Sequence, residues 1–177
     1  MGKKLVKKIE SETALLEKIS LAIPGFRGYK IKEMRREADR LIRDHLYRRL
    51  SNAKSGMREA FQQLAQRRAM DVLEEADRVV ARLDRVAEQV NHAPAGYAGF
   101  FNAVKVHEEA LERLIEFDSR LIDSAVKIEG DVMKFRDELR GGGLGDVEKR
   151  LGEIRGALED FERTFSERKE VMMGVQF

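Results

Sequence analysis

The sequence predicts an all-α protein, an elongated antiparallel bundle of long helices resembling a coiled-coil hairpin. Three observations carry this. Only two prolines occur in 177 residues, and 37% of the residues are charged, as suits long helices with a large solvated surface. The segment 30–93 has no proline and a single glycine, Gly56. Its apolar residues recur at three- and four-residue steps, which keeps one face of a helix apolar. Unbroken, a helix over 30–93 would be on the order of 95 Å long.

The chain reads as one helical domain, 1–177, and its elements follow in order. Residues 3–23 form an N-terminal amphipathic helix with Leu5, Ile9, Leu16, Ile19 and Ile23 near one stripe and Lys3, Lys4, Lys7 and Lys8 at its start. Pro24-Gly25 stops it, because proline cannot continue the hydrogen-bond ladder. Phe26, Gly28 and Tyr29 make a tight aromatic turn that plugs one end of the bundle. The long segment 30–93 follows. Its stripe begins with Ile31, Met34, Ala38, Leu41, Ile42, Leu46 and Leu50, and ends with Val72, Leu73, Ala76, Val80, Leu83, Ala87 and Val90. Ser51 to Gly56 is its weakest point, since Ser, Asn and Gly are poor helix formers, and a kink or a break is expected there.

The run Ile23-Pro24-Gly25-Phe26-Arg27-Gly28-Tyr29-Lys30, with Arg35-Arg36-Glu37-Ala38-Asp39-Arg40-Leu41-Ile42-Arg43 after it, resembles a segment of uncharacterised prokaryotic helical proteins. The resemblance spans about 20 residues of helix entry, is no active-site motif and implies no activity.

Pro94, Gly96 and Gly99 mark a loop, and a helix over 104–140 follows it. Val104, Leu111, Ala125, Val132 and Leu139 share one heptad position, and Leu114, Leu121, Ile128 and Phe135 share the other. His107 and Asp118 are the polar residues in this seam. Counting back across the loop sets Asp118 opposite Val79, with Arg78 or Arg82 as its structural ion-pair partner. Gly141-Gly142-Gly143 breaks the chain, and Asp146 caps a last helix over 146–173. There Val147, Ile154 and Phe161 form one heptad position and Leu151, Leu158, Phe165 and Met172 the other; Gly152 and Gly156 are small enough for a neighbouring helix to approach.

Composition restricts function more than it assigns it. No window has the roughly 18 apolar residues of a membrane span. The N-terminal segment has Glu10, Glu12, Glu17 and Lys18 among its apolar residues, which is not the pattern of a signal peptide. Zero cysteines remove disulfides and thiolate chemistry and agree with a cytoplasmic location. No Glu precedes His45, His92 or His107 by three residues, as a carboxylate-bridged di-iron bundle requires. No Walker loop, nucleophile elbow or dinucleotide fingerprint occurs. The expectation is therefore a chain that is not an enzyme and uses no cofactor.

Three binding readings remain. The first is a scaffold or adaptor working through coiled-coil contacts with a protein partner, and itself a homo-oligomer, most simply a dimer, because the stripes exceed what one chain covers. The second rests on charge. Residues 1–93 hold 21 Lys and Arg against 14 Asp and Glu, and Arg27 to Arg58 hold eleven against four. Lys32, Arg36, Arg40 and Arg43 share a face that would suit a nucleic acid or an anionic membrane surface. The alternative explanation of the asymmetry is that the basic half packs on the acidic half. The third reading is a divalent metal at Glu88, His92, His107 and Glu108, brought together across the 94–101 loop.

Overall fold

The computed structural model describes residues 32–93, 108–143 and 145–172. It contains four α-helices: α1 (Lys32–Gln66), α2 (Met70–Asn91), α3 (Glu108–Arg140) and α4 (Val147–Met172). The side chains of 32–38, 108–112 and 171–172 lie outside the description. So do the segment 3–23, the turn at 24–29, the 94–101 loop and His107. All regular structure among the described residues is helical, as the periodicity predicts.

The expected long helix over 30–93 is two helices. It does not break at Ser51–Gly56. There the Ser55 hydroxyl donates to the Ser51 carbonyl at 3.0 Å and Gly56 is buried, and α1 is continuous through the segment. A Cβ on Gly56 would stand 3.1 Å from Met133 Sδ and 3.2 Å from Val132 Cγ1, which identifies the glycine as the point where α1 approaches α3 closely. The break falls at 67–69. Arg68 has φ +56, its N–H donates to the Ala65 carbonyl, and the Ala69 N–H donates to the Leu64 carbonyl. This is the paired bonding of a Schellman stop, with arginine where glycine is usual. The same arrangement ends α3, with Gly142 at φ +93 and the Gly142 and Gly143 N–H groups donating to Leu139 and Glu138. Asp146 precedes α4, and its carbonyl accepts from the Arg150 N–H.

The chain divides into two compact units. The first comprises Met1–His45, Ala93–Asp123 and Thr164–Phe177; the second comprises Leu46–His92 and Ser124–Arg163. The second unit is a four-helix bundle. Its ion pairs fix the order of the helices around it. Lys54 reaches Asp84 between α1 and α2 at 2.6 Å, and Arg150 reaches Glu138 between α4 and α3 at 2.7 Å. Arg49 bonds Glu129 and Arg140 bonds Glu59, joining α1 to α3, each at 2.7 Å. Arg155 bonds Glu75 at 2.8 Å, and Arg82 bonds Glu159 at 2.7 Å and also Glu162, joining α4 to α2. The circuit is therefore α1, α2, α4, α3. Residue numbers rise together along α1 and α3, and along α2 and α4, so two antiparallel hairpins lie side by side with parallel neighbours.

The seam of this unit is covered within one chain. Leu50, Ala53, Met57, Ala60 and Leu64 of α1 are 0% exposed, as are Leu83, Ala87 and Val90 of α2, and Ile128, Val132, Leu151, Leu158 and Phe161 opposite them. On α2 the buried face also includes Val79 and Val86, whereas Val72, Leu73 and Val80 of the expected stripe are only half-buried.

Candidate functional site

Heptads that are apolar through the second unit become charged in the first. Asp39 stands seven residues before Leu46 on α1, Asp118 seven before Ala125 on α3, and Arg168 seven after Phe161 on α4. Each side chain therefore keeps the direction of a core position and is buried like one: Asp39 is 0% exposed, Asp118 2% and Arg168 3%. A lone buried charge would be prohibitively costly, so the three form one cluster. The Arg168 guanidinium donates from Nη2 to Asp39 at 2.8 Å and from Nε to Asp118. Arg43, a turn along α1, donates from Nε to the other Asp39 oxygen at 2.9 Å and from Nη1 to the Ala93 carbonyl at 2.9 Å. With both carboxylates ionised, two arginines balance them.

Burial pushes the Asp118 carboxyl above the usual aspartate range, outweighing the charge and hydrogen bond of Arg168, and the nearby Asp39 charge adds to the shift. For Arg168 burial acts downward, but the charges and hydrogen bonds of Asp118 and Asp39 prevail and hold the guanidinium firmly protonated. Among the described residues the cluster's contacts are ion pairs that join α1, α3 and α4.

The polar character is confined to one unit. Among the described residues, the buried polar and charged side chains are Asp39, His45, Asp118, Ser119, Thr164 and Arg168, and all six belong to the first unit. The fully buried residues of the second unit are apolar, and the Ser51 hydroxyl is buried among its half-buried ones.

Asp118 was expected to pair with Arg78 or Arg82 and pairs with Arg168 instead. The reason is topological: all of α2 belongs to the second unit, while Asp118 belongs to the first, where α1 and α4 are its described neighbours. Arg78 bonds Glu74 on its own helix and Arg82 bonds α4. Asp39 pairs with Arg43 as i,i+4 spacing on a helix allows, but the burial of Asp39 and the part played by Arg168 were not expected; extending the heptads of Leu46 and Phe161 by seven residues finds both positions.

Of the four cations expected to face an anionic partner, Arg40 and Arg43 have described side chains. Lys32 and Arg36 are on the first turns of α1, with side chains outside the description. Arg40 is exposed, 3.7 Å from Asp44. Arg43 is turned inward on Asp39 and Ala93, and its side chain is only 15% exposed. Within the second unit 17 Lys and Arg stand against 17 Asp and Glu, and Arg49, Arg82 and Arg85 of the basic half bond Glu129, Glu159 and Glu162 of the acidic half; most of the positive excess of residues 1–93 lies instead in 1–45, with 12 Lys and Arg against seven Asp and Glu.

Of the metal candidates, His92 Nε2 lies 3.1 Å from Glu88 across one helical turn, both on the surface of the second unit. His107 lies outside the described residues, and Glu108 begins α3 with its side chain undescribed. Among the described residues, no three His, Cys, Asp or Glu side chains are grouped to hold a metal ion. No described helix is long and apolar enough to cross a membrane. No family model, curated protein or solved structure matches this chain.

Proposed function

We propose that the chain is a non-catalytic helical scaffold or adaptor that binds a protein partner through coiled-coil contacts. The observation that supports it most directly is the fate of the buried charges. Asp39, Asp118, Arg43 and Arg168 neutralise one another across three helices, so the most unusual chemistry of the chain serves to hold helices in place. The exterior offers long helical faces, including the exposed Val126 on α3 with open space above Gly130 one turn on, which a partner helix can approach.

The test uses the full chain with an affinity tag and crosslinking mass spectrometry on partners captured at physiological salt, with Val126→Glu in parallel. The reading expects stoichiometric partner crosslinks to helical faces, reduced in the variant if α3 is the face used. Tight binding to a low-salt gel-shift probe or to anionic liposomes, with no protein partner retained, would replace it with the anionic-surface reading.

A further inference from the structure

We infer that the first unit is a conformational module that opens while the second stays folded, the Asp39–Arg168–Asp118 layer setting the ease of opening. The inference rests on the scaffold reading only for its use, which is to make the seam of the first unit available to a partner helix.

Three observations carry it. The contacts divide the chain into two units, and α1, α3 and α4 each give a segment to both, so the helices are continuous while their tertiary packing is partitioned. Among the described residues, the six polar or charged ones that are buried as whole residues are all in the first unit, and the fully buried side chains of the second are apolar, although the Ser51 hydroxyl is also buried there. The buried ion pairs join three different helices, so they come apart only when those helices separate. Separation returns hydration to four charged groups, which offsets much of what the pairs contribute when closed. An apolar seam receives no such return, since opening it only exposes apolar surface to water. Cooperative units of unequal stability are the ordinary form of sub-global opening, and here the dividing line coincides with the change in core chemistry.

What opening would present is specific. The described seam of the first unit carries Ile42, Leu114 and Leu121 beside two carboxylates, Asp39 and Asp118, which Arg168 normally occupies. A helix able to bind there needs an apolar stripe with a guanidinium at the matching level. This is the chemistry of the α4 end itself, and the partner class is an amphipathic helix with an arginine in its apolar face.

The experiment is native-state hydrogen exchange on the full chain over a series of sub-denaturing urea concentrations, without partner. Amides of 39–45, 114–123 and 164–168 are expected to show protection factors at least about 100-fold below those of 46–64, 125–139 and 151–161. Arg168→Met, which leaves two carboxylates behind, is expected to lower protection in the first set about tenfold or more and leave the second set unchanged. The combined change Asp39→Leu, Asp118→Leu and Arg168→Met, which makes the layer apolar, should raise the first set toward the second; Arg43 is near enough to the surface to turn into water. Uniform protection across residues 45–46, 123–124 and 163–164 would overturn the inference, as would an Arg168→Met variant that loses protection equally in both sets. Since the combined variant can fail to fold, the single variant decides in that case. Exchange is measured without a partner, so uniform protection refutes the module and leaves partner capture standing, while two-tier protection with no partner captured refutes the scaffold reading alone.

Discussion

Replacing Arg168 by methionine tests the structure where its chemistry is most concentrated. The change keeps a long, unbranched chain and removes the charge and both bonds to Asp39 and Asp118. The two carboxylates are then unequal. Asp39 retains Arg43 at 2.9 Å, so half its compensation survives. Asp118 is 2% exposed and loses the arginine that holds it. Removing one partner of a buried pair costs about 3–5 kcal/mol, and the single stranded carboxylate sets the effect here at about the lower end of that range. Adding Asp118→Leu to Arg168→Met should recover much of the loss, because no stranded carboxylate then remains on α3. Urea unfolding followed by far-UV circular dichroism, arranged as a double-mutant cycle, measures both. An Arg168→Met variant within about 0.5 kcal/mol of the parent, the usual range for surface changes, would refute the description of this layer as buried and mutually dependent.

Three further outcomes follow from single positions. Gly56→Leu puts a side chain where even a Cβ meets Met133 and Val132, and should destabilise the chain by about 1–3 kcal/mol in the same assay through overpacking between α1 and α3. Leu121→Ala, in the first unit with 0% exposure, should cost about 2–5 kcal/mol, measured by the shift in urea midpoint. Asp118→Asn tests linkage: burial raises the folded carboxyl above its unfolded value, so the folded state holds this proton more tightly, and the resulting stability is fully present below the unfolded pKa of about 3.9 and lost as pH rises through the folded one. The parent should therefore lose stability relative to Asp118→Asn as pH is raised through that window, and a difference independent of pH between 3 and 8 would contradict the raised carboxyl.

The helical class and most of the seam were legible because periodicity is local. Leu114, Leu121, Ile128 and Phe135 of α3 and Leu151 and Leu158 of α4 are buried as their heptads require. The stop at Gly142 was legible for the same reason, since glycine marks a positive φ. The stop at Arg68 was not: nothing in Gln66-Arg67-Arg68-Ala69 disfavours a helix, and the turn is held from a distance, by the Arg67 guanidinium donating to the Leu139 carbonyl at the end of α3. Gly56 misled for the opposite reason, a weak helix former kept because α3 needs the space. The partner of Asp118 depends on which helices become neighbours, and an assumed antiparallel hairpin across the 94–101 loop selected α2 when the arginine was on α4.

A charged layer in an otherwise regular seam also bears on register. Helices with apolar heptads match almost as well after sliding by seven residues, because apolar side chains meet apolar side chains again. Along the antiparallel α3 and α4, such a slide would take Arg168 from Asp118 to Leu111 or Ala125, one heptad to either side. The guanidinium would keep only Asp39 of α1, and Asp118 would lose its cation inside the seam. Each slipped arrangement of α3 thus leaves the buried Asp118 without its cation, while the native one pairs it. The apolar stripes of α3 and α4 make the two helices associate, and the pairing of Arg168 with Asp118 selects one alignment among those the stripes alone would permit.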